Sequence, residues 1–294
     1  MFGLLNINKP TGMTSRDVVD RVQEAAGPVK AGHAGTLDPL ASGVLIVCVG
    51  KATRLVDYVQ RMRKCYRATF LLGRSSPSDD TETEVTPLEG PPQPTAAQVT
   101  AALAPLTGTI QQRPCAYSAV KVAGRRAYRL ARQGKDVPLA AREVTIFQLQ
   151  LVQYDYPQLV LDIACSGGTY VRALGRDLAQ SLGTAAVMSA LTRTAIGPFR
   201  VEDAIPLVDL GTHNILQHLL PAGLAVGALP RLDLTPAEAE DVLNGRQVAR
   251  DPSCETGGVE VAAFDSRGQL LAILRVQERG IFAPTRVFPP GADP

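Results

Sequence analysis

The stretch Gly32-His33-Ala34-Gly35-Thr36-Leu37-Asp38-Pro39-Leu40-Ala41-Ser42-Gly43 decides how this chain is read. Three glycines, a proline and a lone acid stand just ahead of the apolar run Val44 to Val49. Glycine permits backbone conformations and close approaches that a Cβ forbids. Asp38 precedes a proline, which pushes its backbone towards an extended or turn geometry. A carboxylate on such a loop, with a buried strand behind it, is held in place and open to a ligand. The same residues also suit a plain turn, because Asp bonds readily to its own local backbone. The rest of the chain has to choose between the two.

The 294 residues suffice for one large domain, or for a large and a small one, with a core that needs no staples. Cys48, Cys65, Cys115, Cys165 and Cys254 are odd in number and never form a Cys-x-x-Cys. That usage argues against a disulfide framework or zinc cluster and fits a reducing cytoplasm. His213 and His218, five apart, do not share a helical face, so no metal is expected. No run of about 18 apolar residues predicts a membrane span, and the N-terminus lacks the basic start of a signal peptide.

The net charge of +2 does not announce a polyanion partner, but its distribution does. Residues 51–74 hold seven basic groups against Asp57 alone, and residues 121–142 hold seven against Asp136 alone. Residues 75–90 between them carry five acids and no base. Clustered basic stretches are the footprint of a polyanion partner, although either stretch alone reads better as a solvated face.

In chain order, Leu4 to Asn8 reads as a strand ending in a Lys9-Pro10-Thr11-Gly12 turn. Ser15 is expected to cap a helix through Ala26, with Val18, Val19, Val22 and Ala26 on one face. After the glycine-rich loop come a buried strand Val44–Val49, a short helix near Thr53–Gln60 and a strand Lys64–Leu72. Residues 73–94 are polar and proline-rich and read as a mobile loop outside the core. Thr95 opens a helix to Leu103, and a basic helix runs from Arg126 to Gln133, stopped by Gly134. Strands Val144–Tyr154 and Leu159–Cys165 precede a helix Thr169–Leu182 and a strand Val187–Thr194. The small, apolar, glycine-rich stretch from Pro221 to Pro230 marks a domain boundary. Beyond it, Thr235-Pro236-Ala237-Glu238 is a capping box, and strands near Val259–Phe264, Leu270–Val276 and Arg286–Phe288 make a small β module.

Five short stretches fall in a telling order: Lys9-Pro10-Thr11-Gly12, the Asp38 loop, Lys64-Cys65-Tyr66-Arg67, Tyr117-Ser118-Ala119-Val120-Lys121, and Gly167-Gly168-Thr169-Tyr170-Val171-Arg172. Together they resemble the TruB family, the bacterial synthases that convert uridine-55 of transfer RNA to pseudouridine. The resemblance implies an α+β fold. Residues 1–228 would be a catalytic domain around a mainly antiparallel sheet, and residues 229–294 a PUA-like RNA-binding module. It also implies a cytoplasmic enzyme that acts on the T stem-loop of tRNA as a monomer, without an obligate protein partner. The family's Thr-Asp-Thr-x-Asp-x-x-Gly is replaced here by Ser76-Pro77-Ser78-Asp79-Asp80-Thr81-Glu82-Thr83, so no role is assigned to that loop.

Pseudouridine formation breaks the bond from the sugar to the base nitrogen, turns the base and rejoins it through carbon. It is redox-neutral and imports no group, so no cofactor is expected. It needs a carboxylate that adds to sugar or base, or that stabilises and deprotonates the intermediate. By resemblance that group is Asp38, with Arg172 keeping it ionised. Arg172 stands in the first turn of a helix, where the macrodipole disfavours a cation unless an anion faces it. By the same resemblance Tyr66 stacks on the base, Tyr170 packs beside the site and His33 fills the gap the extruded base leaves. Lys121, Arg126, Arg129 and Arg132 would grip phosphates, while Lys9, Pro10 and Gly35 support the Asp38 loop. Two rivals stay open: an RNA-binding protein that has lost catalysis, and a glycosidase-like hydrolase, which would want a second carboxylate.

Overall fold

The computed structural model describes residues 1–118, 120–122, 124–134, 137–250, 259–278 and 280–289. Cys254, Lys135 and Asp136 therefore lie outside the described residues, as does the side chain of Lys121.

One large sheet positions the site. Its strands are β1 (Gly3–Lys9), β2 (Ala31–His33), β3 (Ala41–Val49), β4 (Lys64–Leu72), β5 (Gly108–Gln112), β6 (Arg142–Asp155), β7 (Gln158–Cys165) and β8 (Ala186–Ile196). The order across the sheet is β1-β3-β8-β4-β7-β6-β5, with β2 on β3 and the short strand Ile205–Pro206 outside β1. All these neighbours run antiparallel except β3 with β8 and β1 with Ile205–Pro206. The expected mainly antiparallel sheet is thus found.

The parallel β3–β8 contact matters most. It sets Gly43 opposite Arg193, so tightly that a Cβ on Gly43 would strike the Arg193 backbone, and Gly43 has φ 99°. Only glycine suits that position. Strand β3 continues as an unbroken buried run from Gly43 to Val49, as expected for a strand covered on both faces. One face packs Leu45 and Val47 with Leu5 and Ile7 against α1 (Ser15–Ala26), through Val18, Val19 and Val22. The other packs Val44, Ile46 and Cys48 with Leu4. Helix α1 is capped by Thr14 rather than Ser15. The Thr14 side chain accepts from the Asp17 N–H, and Asp17 accepts from the Thr14 N–H in return. The Ser15 hydroxyl is used elsewhere.

The outer half of the sheet is covered on one face by α3 (Ala96–Leu103) and α5 (Val171–Ser181), around Tyr66, Ala68, Phe70, Leu161 and Leu174. The β5 strand had no counterpart in the sequence reading, and the expected basic helix is only α4 (Ala127–Ala131), preceded by a small hairpin of Lys121–Val122 with Arg125–Arg126. Residues 73–94 also differ from expectation. They include Ser78 at 2 % exposure and Asp80 at 0 %, so this loop folds back into the protein. A buried ion pair, described below, is what ties it there.

The C-terminal part has β9 (Arg231–Asp233), α6 (Pro236–Leu243), β10 (Glu260–Phe264), β11 (Leu270–Glu278) and β12 (Ile281–Val287), in a sheet β9-β10-β11-β12 closed by Val248–Ala249. The capping box of Thr235 and Glu238 is present. This sheet shares a core with the large one: Ala262, Phe264, Leu270, Ile273 and Phe288 pack with Leu4, Val44, Ile46 and Leu55. Polar contacts to α2 (Val56–Arg61) and the 3-10 turn before it fix the seam. Tyr58 donates to Glu260 at 2.9 Å, Arg286 pairs with Asp57 at 2.8 Å and Arg54 donates to the Val287 carbonyl at 2.9 Å. Part of the basic stretch 51–74 is therefore spent on contacts within the chain, since Lys51 and Arg54 meet the carbonyls of Pro289 and Val287 and Arg67 pairs with Asp162 at the surface.

Candidate active site

The Asp38 loop leaves β2, crosses the mouth of a cavity of about 350 Å³ and enters β3. Four side chains from elsewhere hold its backbone. Lys9 Nζ donates to the carbonyls of Pro10, Met13 and Pro39 at 2.8, 2.6 and 3.4 Å. The Ser15 hydroxyl accepts from Leu37 N–H at 2.8 Å and donates to Leu37 O at 3.1 Å. Glu82 accepts from the Leu40 N–H at 3.0 Å. Arg193 donates to the carbonyls of Gly35, Thr36 and Val44 at 3.1, 3.5 and 2.7 Å. A loop with its polar groups tied from four directions holds its acid in a fixed place. Burial pushes the Lys9 ammonium down to about 8. Pro10 is exposed and takes part through its carbonyl alone.

Asp38 is half-buried, and its carboxylate lies 3.0 Å from Arg172 Nη2. Arg172 is the second residue of α5 and is itself buried, so the anion expected to face it is there. Burial pushes the Asp38 carboxyl above its ordinary range, and Arg172 pulls against that rise. Arg172 has a second partner that the sequence reading missed. Its Nη1 lies 2.9 Å from the wholly buried Asp80, and it donates to the carbonyls of Ser78 and Tyr117 at 2.8 and 3.0 Å. Asp80 also accepts from the Ser78 hydroxyl and the Glu82 N–H. The replaced loop therefore supplies an acid after all, and one guanidinium bridges two carboxylates.

Tyr66 lies on β4 between Arg193 and Ile163, 8 % exposed, and lines the cavity with Asp38, Tyr170 and Arg172. Burial raises its phenol above the ordinary value, and the Arg193 guanidinium beside it pulls the other way. Tyr170 caps α5 and is clamped by Gln112, which donates to its carbonyl at 3.1 Å and accepts from its N–H at 2.8 Å. Arg142 stacks over the Tyr170 ring at 4.4 Å and donates to the Gly168 carbonyl. Gly35 has φ 134° and lies against Arg193 and Lys64. Gln112 and Arg193 were missed from sequence, whereas Lys64 and Arg142 were noted in the basic stretches but given no place in the cavity. As the lone charge in strand β8, Arg193 carried the available signal.

His33 is on the other side of Asp38. It lines a wider outer cleft of about 730 Å³ together with Arg16, Arg126, Tyr128 and Arg132. Its burial lowers the imidazole below its ordinary value, with Arg193 and Arg16 adding to the effect. Arg126, Arg129 and Arg132 are exposed on and beside α4, Arg129 and Arg132 lying over the Tyr128 ring. Among the described residues no three of His, Cys, Asp and Glu are grouped to hold a metal ion. Nor is any helix among them long and apolar enough to cross a membrane.

A carboxylate–guanidinium pair in an aromatic-walled cavity, flanked by an arginine-lined cleft, is the arrangement of an enzyme with a polyanionic substrate. Comparison with known proteins gives the family. Residues 23–171 match the model of the TruB family pseudouridylate synthase N-terminal domain, and residues 229–289 match that of the tRNA pseudouridine synthase II C-terminal domain. A tRNA pseudouridine synthase B of Arthrobacter sp. (strain FB24) is 42% identical over 99% of this chain and 97% of its own length. That of Thermobifida fusca (strain YX) is 42% identical over 92% of this chain and 94% of its own. The chain belongs to the TruB family of pseudouridine synthases. Among solved structures, an H/ACA RNP bound to a substrate RNA containing 2′-deoxyuridine superposes with a TM-score of 0.76. It is 25% identical and covers 98% of this chain and 86% of its own.

Proposed function

We propose that this enzyme isomerises uridine-55 in the T arm of tRNA, with Asp38 as the reacting carboxylate. The observation that carries the reading is the 3.0 Å Asp38–Arg172 pair beside the Tyr66 wall of the cavity. A nucleotide in the folded T arm must leave its stack to reach that cavity, at a cost of a few kcal/mol. Stacking on Tyr66 offsets part of this, being worth about 1–3 kcal/mol per base. Asp38 then lies at the sugar side of the base, ionised by its contact with Arg172 against the pull of burial. His33, outside the inner cavity, fills the position the base leaves. Arg126 and Arg132 on the outer cleft bind phosphates, together with Arg129 and Lys121. Lys9 and Gly35 shape the Asp38 loop, Pro10 contributes its carbonyl, and Tyr170 walls the site. The chemistry needs no cofactor.

We assign the chemistry and the phosphate contacts of the arginine arm to residues 1–228, and further RNA binding to residues 229–294, in a monomeric cytoplasmic enzyme. A hydrolase of the paired-carboxylate kind is disfavoured, because the second acid, Asp80, is wholly buried and engaged by Arg172. The test is incubation with unmodified tRNA, followed by nucleoside analysis. Pseudouridine at position 55 supports the reading, whereas free uracil or unchanged uridine overturns it.

A further inference from the structure

The floor of the inner cavity carries two buried cations that no carboxylate among the described residues neutralises. Arg193 is 1 % exposed and Lys64 is 6 % exposed. Arg193 is held by the carbonyls of Gly35, Thr36 and Val44, and Lys64 by those of Gln60 and Met62. Both line the cavity beside Tyr66, and a Cβ on Gly35 would be 3.6 Å from Arg193 and 3.9 Å from Lys64. The contrast with Arg172 is plain, since Arg172 is balanced by Asp38 and Asp80. Burying a charge without a counter-charge is costly, and two together more so. Consistent with that, burial and the nearby Arg193 push Lys64 down to about 8. A fold keeps such a cost where negative charge arrives later.

Resting on the proposed reading that this cavity receives the uridine, we infer that Arg193 and Lys64 form a cationic floor for the uracil anion of the reaction. When the bond from C1′ to N1 breaks, its electron pair stays on N1 and spreads to O2 and O4 of the ring. The ring then turns, and the pair is consumed as C5 bonds to C1′. The proton lost from C5 is balanced by one gained at N1, so the product is an isomer. Between those two bonds the base is an anion in the cavity that Tyr66 lines together with the two cations. Fixed charge aimed at charge that develops only during reaction lowers the barrier without tightening ground-state binding. Arg193 acts here as a charge-stabilising, positioning residue, because its own hydrogen bonds go to the loop and not to substrate.

The test is single-turnover rate at saturating RNA for Arg193→Gln, Arg193→Lys and Lys64→Met, each on a T stem-loop with uridine and on one with 5-fluorouridine at the target position. Fluorine stabilises the base anion intrinsically, so a variant lacking the cation should matter less for that substrate. Arg193→Gln is expected to slow cleavage of the sugar–base bond in uridine by about 100-fold. It should slow the same step in 5-fluorouridine by distinctly less, with unchanged RNA affinity, and Arg193→Lys should lie nearer the wild type on both. If Arg193→Gln does not fold, Lys64→Met carries the same comparison. Equal slowing of both substrates would make these residues merely structural and overturn the inference, as would no slowing at all. Wild-type enzyme that leaves uridine unchanged would instead overturn the reading on which it rests.

Discussion

The wholly buried carboxylate of Asp80 lies 2.9 Å from Nη1 of Arg172, the nitrogen that Asp38 does not use. Arg172 is therefore oriented from behind by one acid while it meets the other at the cavity. Asp80→Asn keeps the size of the side chain and removes its charge. The guanidinium then loses its rear anchor, and a shift of about 1 Å at a reacting group can cost about 100-fold in rate. We expect kcat to fall by about one to two orders of magnitude with KM for tRNA nearly unchanged. Steady-state kinetics on the purified variant, checked by circular dichroism for folding, decides it. An unaltered kcat would leave Asp80 a purely structural acid.

Asp38→Asn separates chemistry from turn formation. Asparagine suits turns and bonds to the local backbone as aspartate does. The variant should fold, bind tRNA as the wild type does and form no pseudouridine, with deamidation excluded by mass spectrometry. Its stability follows from the direction of the Asp38 shift. A carboxyl raised above its ordinary value stabilises the fold while protonated, and that contribution disappears as pH rises through the folded value. At neutral pH the wild type no longer has it, so the variant should melt no lower than the wild type.

The same shift sets the acid side of the rate profile. On the proposed reading Asp38 reacts in its ionised form, so the rate should fall on acidification with a midpoint above the ordinary aspartate value of about 3.9. On the alkaline side Lys9 and Lys64 give up their charge near about 8, and the rate should fall again there. Single-turnover rates at saturating tRNA across this range test both limbs. A rate that rises on acidification would contradict an ionised Asp38.

Much of this site is legible in the sequence. The Asp38 loop announces itself by its glycines and its Asp-Pro step, and Arg172 by standing in the wrong turn of a helix for a cation. Asp80 is hidden because residues 73–94 have the composition of a solvated loop. What returns them to the core is an ion pair with a residue 92 positions further along the chain, which no local pattern reports. Strand β5 is hidden for another reason: its alternation is short, and only Gln112, clamped on Tyr170, is fully buried. The Ser15 cap is misread by one residue because Thr14 and Ser15 both suit the position. Tertiary contact decides between them, by calling the Ser15 hydroxyl to Leu37. The basic stretch 51–74 misleads in part, since charge counts cannot tell a cation facing RNA from one docking a second module.

Arg126, Arg129 and Arg132 stand exposed around Tyr128, two of them on the wall of the outer cleft. Replacing all three with glutamine should weaken tRNA binding without changing the rate at saturation. For every phosphate that no longer meets a cation, the slope of log K against log salt should flatten by about 0.7–0.9. Binding isotherms at several salt concentrations measure this directly. An unchanged slope would return α4 to the role of a solvated face.

The last prediction concerns the C-terminal module, which the shared core makes more than a tether. Phe288 is 1 % exposed, stacks on Phe2 at 5.3 Å and receives Arg54 over its ring at 5.4 Å. Around it, Phe264, Leu270 and Ile273 cover Leu4 of β1 and Val44 and Ile46 of β3, the strand into which the Asp38 loop runs. Cutting the chain at residue 229 would expose that whole face to water, and an apolar surface of this kind favours aggregation. We therefore expect the truncated chain to melt well below the full-length protein and to aggregate, not to persist as a catalytically intact core with weakened RNA binding. Phe288→Ala, which leaves the module in place, should cost about 3–5 kcal/mol. Arg286→Ala should cost less, because its pair with Asp57 lies in a partly exposed seam where ion pairs are worth about 1 kcal/mol or less. Thermal and denaturant melts of the three proteins give the order. A truncated chain that melts with the full-length protein would show that the seam contributes nothing, and would restore the module to an independent RNA-binding appendage.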